Sequence, residues 1–522
     1  MRPMRTKEMW RGHPLFSLEN LYRAYRKCRR RKRTTLNALA FEWALETNLV
    51  ELHEELESGT YRPGQSLTFL VKKPKEREIF AADFRDRVVH HVLVAHLEPL
   101  WERRYIHDSY ACRRGKGTHK AVERLRSFAR KATANGTRRA WYLQLDVRGF
   151  FVSMNRTHLY RRLSAKEPDP AVRWLIRSFV FQDPARNCRL RGARRADFLR
   201  LSAHKTLFKA APDCGLPIGN LTSQFFANVY LDELDQFVKH VLKARWSLRY
   251  CDDILLLSAD REELEAWEAE IREFLPHRLG LALNARRKLR PVSDGIDFLG
   301  YVVRPDYLLV RRRVVGALRE RLEYAGQKLR EAGMRLHGNG RVVYPWPWAL
   351  LEEVRQWLNS YLAHLQRASS SGLTQSLWKR FFWLREYFRR SGGKVQLRLS
   401  LPRTALTFRE QKRWFQELLP GHVLMVQAGR FWEMIMCPSL RSPDTPANVQ
   451  MSRPPRIHAR KLPAIKPWLW DTRLPVAWIG ETGRRVTSIA ERVLVCRWAA
   501  GRDSQHNLPG SFRLPGGSGI HV

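Results

Sequence analysis

The pattern of apolar and polar positions marks two short stretches of the chain as strands that carry carboxylates. Trp141 to Phe151 (WYLQLDVRGFF) alternates into Asp146, the pattern of a strand that ends in a carboxylate. Arg249 to Ser258 (RYCDDILLLS) predicts a strand, a tight turn holding Asp252 and Asp253, and a second strand. Between the two, Gly215 to Asp235 (GLPIGNLTSQFFANVYLDELD) opens as a tight loop around Gly215, Pro217 and Gly219 and continues as a helix. Thr222 or Ser223 is placed to cap that helix, and Phe226, Tyr230, Leu234 and Phe237 form its buried stripe.

Strand-like and helical runs alternate from about residue 60 to 300, which predicts an α/β or α+β body. Residues 161–212 are rich in Arg and weakly periodic, so an irregular insertion is expected there. Beyond 300 the pattern turns helical. Val354, Trp357, Leu358, Tyr361, Leu362 and Leu365 share one apolar face. Ser391-Gly392-Gly393 breaks the helical region, strands follow to about 500, and the Gly/Pro/Ser-rich tail from Gly501 is expected to be disordered. A helix beginning near Ser17 carries the basic run Arg26 to Arg33.

Charge changes this picture most. Among 522 residues, 94 Lys and Arg stand against 51 Asp and Glu, a formal net charge of +43. So large an excess opposes compaction and calls for a polyanionic partner, nucleic acid before an anionic membrane surface. With 44% hydrophobic residues and 18 Trp, the chain still buries real cores. It has no run of roughly 18 apolar residues and no signal-peptide pattern, so a cytoplasmic protein without membrane partners is expected. The seven Cys are scattered, without a CxxC or Cys/His cluster, which predicts reduced thiols and no zinc site.

If the two acidic strands are neighbours in one sheet, Asp146 faces the Asp252-Asp253 pair across a ladder spacing of about 5 Å. Adjacent carboxylates among β-forming residues are costly unless a cation holds them. The candidate metal-binding positions are Asp146, Val147, Asp252 and Asp253, and Asp146, Asp252 and Asp253 are the candidate catalytic residues. They suit two Mg²⁺ ions about 3.5–4 Å apart, one activating a primer 3′ hydroxyl and one neutralising a triphosphate. Magnesium fits an all-oxygen site; Mn²⁺ is the alternative.

In order and spacing, these motifs resemble the fingers and palm of a reverse transcriptase over most of residues 60–320. The resemblance implies a right-hand α+β polymerase with an antiparallel palm sheet, a helical thumb and a small C-terminal α/β domain. The implied boundaries are a basic helical segment at 1–59, fingers and palm at 60–303, thumb at 304–392, C-terminal domain at 393–500 and tail at 501–522. KKPKEREIFAADFRDRVVHHVL resembles the fingers, with Arg77 reaching the incoming dNTP, and HDSYACRRGKGTHKA is similar to the segment before the first catalytic strand. Asp146 falls on the first catalytic aspartate, Phe151 on the steric gate that selects dNTPs, Asp252 on the main metal ligand and Asp253 on its weaker partner. NARRKL resembles the basic segment behind the leaving phosphate, with Arg287 or Lys288 as the contact, and GIDFLGY the primer-grip hairpin, with Phe298, Leu299 and Gly300 on nucleic acid. Arg311, Arg312 and Arg313 are candidate phosphate contacts of the thumb.

The central motif departs from intron-type enzymes, with Ile218-Gly219 and Ser223-Gln224 in place of Gln-Gly and Ser-Pro. Gly219, Ser223 and Gln224 would touch the templating pair. The IGNLTSQ form resembles the error-prone enzymes of diversity-generating retroelements. That resemblance implies a template RNA, a DNA or RNA primer and a small basic accessory protein. The alternatives are a defence-associated or retron-like enzyme using a noncoding RNA, and an RNA-binding scaffold with a degenerate palm. PGHVLMVQAGRFWEM, Pro420 to Met434, resembles the start of the mismatch-reading domain of MutS proteins, with Phe431 stacking on a base and Glu433 accepting a hydrogen bond from it. Leu474 to Trp498 is similar to that domain's later strand, loop and helix. No GxxxxGK[ST] sequence accompanies it.

Overall fold

Ser17 begins the first long helix, its Oγ accepting from the Asn20 amide at 3.4 Å, as a serine cap should. The computed structural model describes residues 9–30, 35–72, 75–336, 342–399, 407–436, 456–471, 474–486 and 489–499. Arg31 to Arg33 of the basic run and the tail from 501 lie outside the described residues. The chain divides into two compact units, residues 1–307 and 308–522.

In the first unit, α1 (Leu18–Arg29), α2 (Leu36–Trp43) and α3 (Leu45–Glu57) precede the hairpin β1 (Ser66–Val71) and β2 (Arg77–Ala81). Then come α4 (Phe84–Glu102), α5 (Thr118–Ala132), β3 (Trp141–Asp146), α6 (Phe150–Ser153), α7 (Arg156–Ser164), α8 (Pro170–Val180), β4 (Cys188–Leu190) and α9 (Arg195–Leu199). The unit continues through α10 (Leu221–Gln236), β5 (Trp246–Tyr250), β6 (Asp253–Ser258), α11 (Arg261–Phe274), β7 (Lys288–Pro291), β8 (Ile296–Phe298) and β9 (Tyr301–Val303).

Residues 161–212 are therefore not simply irregular. Asp169 caps α8 by accepting from the Ala171 and Val172 amides, and Pro170 occupies the first turn, where its missing N–H costs nothing. The later part of the stretch adds β4 parallel to β1, giving a three-stranded sheet in the order β2-β1-β4.

A four-stranded sheet in the order β5-β6-β3-β7 carries the acidic strands, and all its neighbours are antiparallel. Its inner residues Leu143, Leu145, Ile254 and Leu256 pack with α10 residues Phe226, Tyr230 and Leu234 in one buried core. At about 25 cal/mol per Å² of apolar surface removed from water, this burial dominates the stability of the sheet. The helix cap differs from expectation. Asn220, not Thr222 or Ser223, holds the cap position of α10, and its Oδ1 accepts from the Ala82 amide at 3.2 Å.

The second unit contains β10 (Leu308–Val310), α12 (Arg312–Glu331), β11 (Arg335–Leu336), β12 (Val342–Pro345), α13 (Trp348–Leu365), α14 (Ser371–Arg380) and α15 (Leu384–Tyr387). The hairpin β13 (Phe388–Ser391) and β14 (Lys394–Leu397) turns through Gly392 and Gly393, both at positive φ. There follow α16 (Phe408–Leu418), β15 (Val423–Ala428), β16 (Phe431–Ile435), β17 (Arg456–His458), α17 (Leu462–Asp471), β18 (Val476–Val486) and β19 (Ile489–Ala499).

Seven of these strands form one sheet, β11-β12-β19-β18-β15-β16-β17. It crosses the boundary expected at 392/393, because β12, from the stretch expected to be helical, pairs with β19. The segment 489–499, expected to be a helix, is instead a strand antiparallel to β18. Alternation explains this: Arg492, Leu494, Cys496 and Trp498 are buried at every second position.

Candidate active site

Strand β3 runs antiparallel to β6 with Asp146 directly opposite Asp253, while Tyr250 faces Asp253 from β5. Cys251 and Asp252 are the two residues of the turn between β5 and β6. Cys251 adopts φ 57°, a left-handed conformation that costs a side chain of this size roughly 1 kcal/mol or more. The arrangement brings all three predicted carboxylates to one end of the sheet.

A buried arginine holds that turn. Arg249, 2% exposed, donates twice to Asp235 of α10, from Nε at 2.7 Å and Nη2 at 2.6 Å. Its Nη1 reaches the Cys251 carbonyl at 2.8 Å and Asn228 Oδ1 at 3.3 Å, and Nη2 also donates to Ser109 Oγ at 3.1 Å. The guanidinium thus fixes the acidic turn to α10 with a bidentate pair and a backbone contact. Arg249 carries no motif, and its one signal in the sequence is that an Arg beside an acidic turn and within an apolar strand demands a buried partner.

Burial, followed by repulsion from Asp146, raises the Asp252 carboxyl above the ordinary Asp range; Arg77 opposes this. Burial, then Asp252 and Asp146, pushes Asp253 up to about 6, against the pull of Gln144 and Lys288. Gln144 Nε2 donates to Asp253 at 3.3 Å, and Asn284 Nδ2 donates to Asp146 at 3.2 Å. The Asn284 amide also reaches the Asp146 carbonyl at 2.7 Å, and Val147, buried, bridges to Leu283. The two amide side chains orient carboxylates without neutralising them. Neither Gln144 nor Asn284 was singled out from sequence, because an amide has no motif of its own.

The carboxylates repel one another and are short of positive charge, the electrostatics of a cation site. Their all-oxygen chemistry suits Mg²⁺. Among the described residues no three His, Cys, Asp or Glu side chains converge as a ligand set, so the fit lies in donor chemistry rather than in side-chain geometry as placed.

Arg77 opens β2 near enough to Asp252 to stabilise its ionised form. Gly219 packs against the same strand. At φ 126° it leaves space in which an added Cβ would lie 2.8 Å from the Phe80 carbonyl oxygen, and the Phe80 amide donates to Ile218 O at 2.8 Å. Phe151 is half-buried beside Phe150, and its carbonyl accepts from the Leu216 amide at 2.7 Å, which ties the gate candidate to the Gly215–Gly219 loop. Ser223 is buried on α10, whereas Gln224 is exposed and accepts from Cys112 Sγ at 3.5 Å. Arg287 is tied to Glu268, while Lys288 lies close enough to Asp253 to favour its ionised form. Lys288 pairs with Gln144 across β3 and β7, which puts it on the side of the sheet that carries Asp146 and Asp253.

Phe298 does not present its ring outward. It is 0% exposed and meets Tyr250 edge-on at 6.4 Å, while Leu299 and Gly300, both at positive φ, form the hairpin tip between β8 and β9. In the second unit Phe431 is 44% exposed with His458 edge-on at 5.3 Å. Glu433, two residues along the same strand, is 2% exposed, with its oxygens on Lys412 at 2.7 Å and Arg456 at 3.1 Å. A carboxylate so engaged is not free to accept from a base.

A family model described as reverse transcriptase (RNA-dependent DNA polymerase) matches residues 71–303. The chain is 25% identical over 302 residues to Protein YkfC of Escherichia coli (strain K12), covering 51% of this chain and 74% of that protein. It is 25% identical over 244 residues to the group II intron-encoded protein LtrA of Lactococcus lactis subsp. cremoris, covering 45% of this chain and 34% of LtrA. Among solved structures, telomerase from Candida albicans in complex with a TWJ fragment of telomeric RNA is similar at 11% identity and a TM-score of 0.32, over 62% of this chain and 59% of that chain. The chain thus spans about a third of LtrA and under two thirds of the telomerase chain.

Proposed function

With residues 71–303 a reverse transcriptase domain, that is, an RNA-directed DNA polymerase, we propose that the whole chain makes cDNA on an RNA template from a DNA or RNA primer. The observation that carries the reading is the pairing of Asp146 with Asp253, with Asp252 in the adjoining turn. Asp146, Asp252 and Asp253 would hold Mg²⁺, which when bound would acidify the primer 3′ hydroxyl and neutralise the triphosphate. Arg77, beside Asp252, is positioned to pair with phosphate oxygens, and Lys288 to meet negative charge leaving past Asp253. Phe151 would fill the space of a ribose 2′ hydroxyl. Gln144 and Asn284 keep the carboxylates turned toward the reacting groups.

We further infer the error-prone enzyme of a diversity-generating retroelement, working with a template RNA and a small basic accessory protein. Support comes from Ile218-Gly219 and Ser223-Gln224, since the Gly219 loop abuts β2 and is stitched to Phe151, where a changed loop alters contacts around the templating pair. In the second unit, exposed Phe431 is the candidate base-stacking residue, worth about 1–3 kcal/mol per stacked base. Asp252→Asn is expected to abolish Mg²⁺-dependent dNTP incorporation on primed RNA while leaving RNA affinity intact; equal incorporation by the variant refutes the catalytic assignment. Sequencing the cDNA tests the finer reading: errors concentrated at template adenines support it, and an even spectrum removes it.

A further inference from the structure

Helices α2 and α3 present apolar side chains to the core and to solvent at once. Ala38, Phe41, Leu49 and Leu52 are buried in the core of the first unit. On the other side, Trp43 is 93% and Leu36 83% exposed, and Leu39, Ala40, Thr47 and Val50 are exposed with them. Leu36, Ala40, Trp43, Thr47 and Val50 follow one another at steps of four, three, four and three residues, the spacing at which one helix meets another. Only Ala44, at φ −125° and ψ 52°, interrupts the helical backbone between them. Single apolar residues scattered over a surface are ordinary, but an uncovered tryptophan within a periodic strip marks a docking face.

Charge narrows what can dock. From Thr35 to Glu57 the chain has six Glu and no Lys or Arg, in a molecule of net charge +43. Glu42 is engaged by Arg29 at 2.6 Å, and Glu55 by Arg85. Glu46, Glu51 and Glu54 are exposed and have no ion-pair partner among the described residues. Glu46 stands one turn beyond Trp43, Glu51 beside Val50 and Glu54 one turn further, so acids rim the α3 half of the strip. They repel phosphates and anionic headgroups, which sets this face apart from the basic surface that meets a polyanion. A second copy of the chain fits no better, because a two-fold axis through Trp43 brings Glu46 of each copy toward the other. An amphipathic helix with apolar residues at the same spacing and Lys or Arg on its flanks meets both the strip and its rim.

We propose that α2 and α3 form a docking site for a basic partner protein, which lays such a helix along residues 36–50 with Trp43 as the central anchor. The site stands whether or not the chain copies RNA. The full chain is titrated by anisotropy against a labelled three-heptad peptide with Leu at the four-three positions and Lys on the flanks, and against a twin with Glu in place of Lys. The Lys peptide is expected to bind and the Glu twin to bind more weakly. Trp43→Ser is expected to weaken the Lys peptide by at least roughly 10-fold, and Glu46→Lys/Glu51→Lys to reverse the preference between the twins. The thermal midpoint is expected to hold, since Trp43 is exposed; should Trp43→Ser melt early, Leu36→Ser decides by the same loss of affinity. No binding of the Lys peptide, equal affinity for the twins, or unchanged affinity in the variant overturns the proposal. A concentration-dependent dimer that Trp43→Ser dissolves overturns it in favour of a second copy, and weaker cosedimentation of Trp43→Ser with phosphatidylserine vesicles in favour of a membrane surface.

Discussion

At the scale of single residues, Arg249 gives the sharpest prediction. Arg249→Met leaves Asp235, itself 4% exposed, as a buried charge without its bidentate partner, and releases the Cys251 carbonyl. Breaking a buried pair from one side costs about 3–5 kcal/mol, so a clear fall in thermal midpoint is expected. The double variant Arg249→Met/Asp235→Leu removes both charges and should recover most of that stability. Incorporation should stay at least roughly 10-fold low in both, because a turn whose carboxylate wanders by an ångström loses about that much or more. Recovery of incorporation together with stability would reduce Arg249 to an ordinary core ion pair. Phe151→Ala supplies a second check: ribonucleotide incorporation should rise relative to dNTP in single-nucleotide competition, and an unchanged ratio removes the gate assignment. What was legible here divides by chemistry. Asp146, Asp252 and Asp253 stand out because charges among β-branched and aliphatic neighbours are conspicuous, whereas the partners that orient them, Gln144, Asn284 and Arg249, come from unremarkable positions that only the folded chain brings together.

At the scale of elements, the register of β3 on β6 is set by the acids, since a one-residue slip would turn Asp146 away from Asp253 to the side on which Leu143 and Leu145 are buried. The second unit was less legible. Pairing of β12 with β19 joins residues 342–345 to 496–499, and no local pattern records so distant a partner. In α8 the Asp169-Pro170 start signal was present but was outweighed by the surrounding arginines. Helix α4 is buried on most of its circumference, and this has a measurable consequence. His90, 1% exposed and edge-on to Phe179 at 4.5 Å, has its pKa lowered to about 3, chiefly by burial, then by His91 and Arg87. The unfolded chain takes up a proton at His90 near its ordinary value of 6.5, whereas the folded chain stays neutral until about 3. Stability is therefore present above pH 6.5 and is lost as pH falls toward 3, at up to about 1.4 kcal/mol per pH unit for this one group. Denaturant melts of His90→Leu against the parent should show a shallower loss across that window. An identical pH profile would mean that His90 is protonated in the folded helix.

At the scale of the whole molecule, the net charge of +43 has to be reconciled with folding. Many of the 51 acids are consumed inside the chain: Asp235 on Arg249, Asp232 and Glu233 on Arg162, Glu268 on Arg272 and Arg287, and Glu433 on Lys412 and Arg456. The surplus of Lys and Arg is thus left for a polyanion. An RNA–DNA substrate and an anionic lipid surface both meet that charge, but they differ in what else they offer. Arg191 lies 4.7 Å from the Phe69 ring centroid, and an arginine beside a half-buried aromatic ring suits phosphate and base together rather than a headgroup alone. If some 6–10 phosphates are neutralised, affinity for primed RNA should fall on the order of 10³–10⁵-fold between about 50 and 200 mM salt. Asp252→Asn should follow the same line, because it alters the reaction centre and not the phosphate contacts. Anisotropy titrations at four salt concentrations, with phosphatidylserine vesicles as competitor, measure both points. A flat salt response, or displacement of RNA by vesicles at equal charge, would assign the surplus to a surface other than nucleic acid.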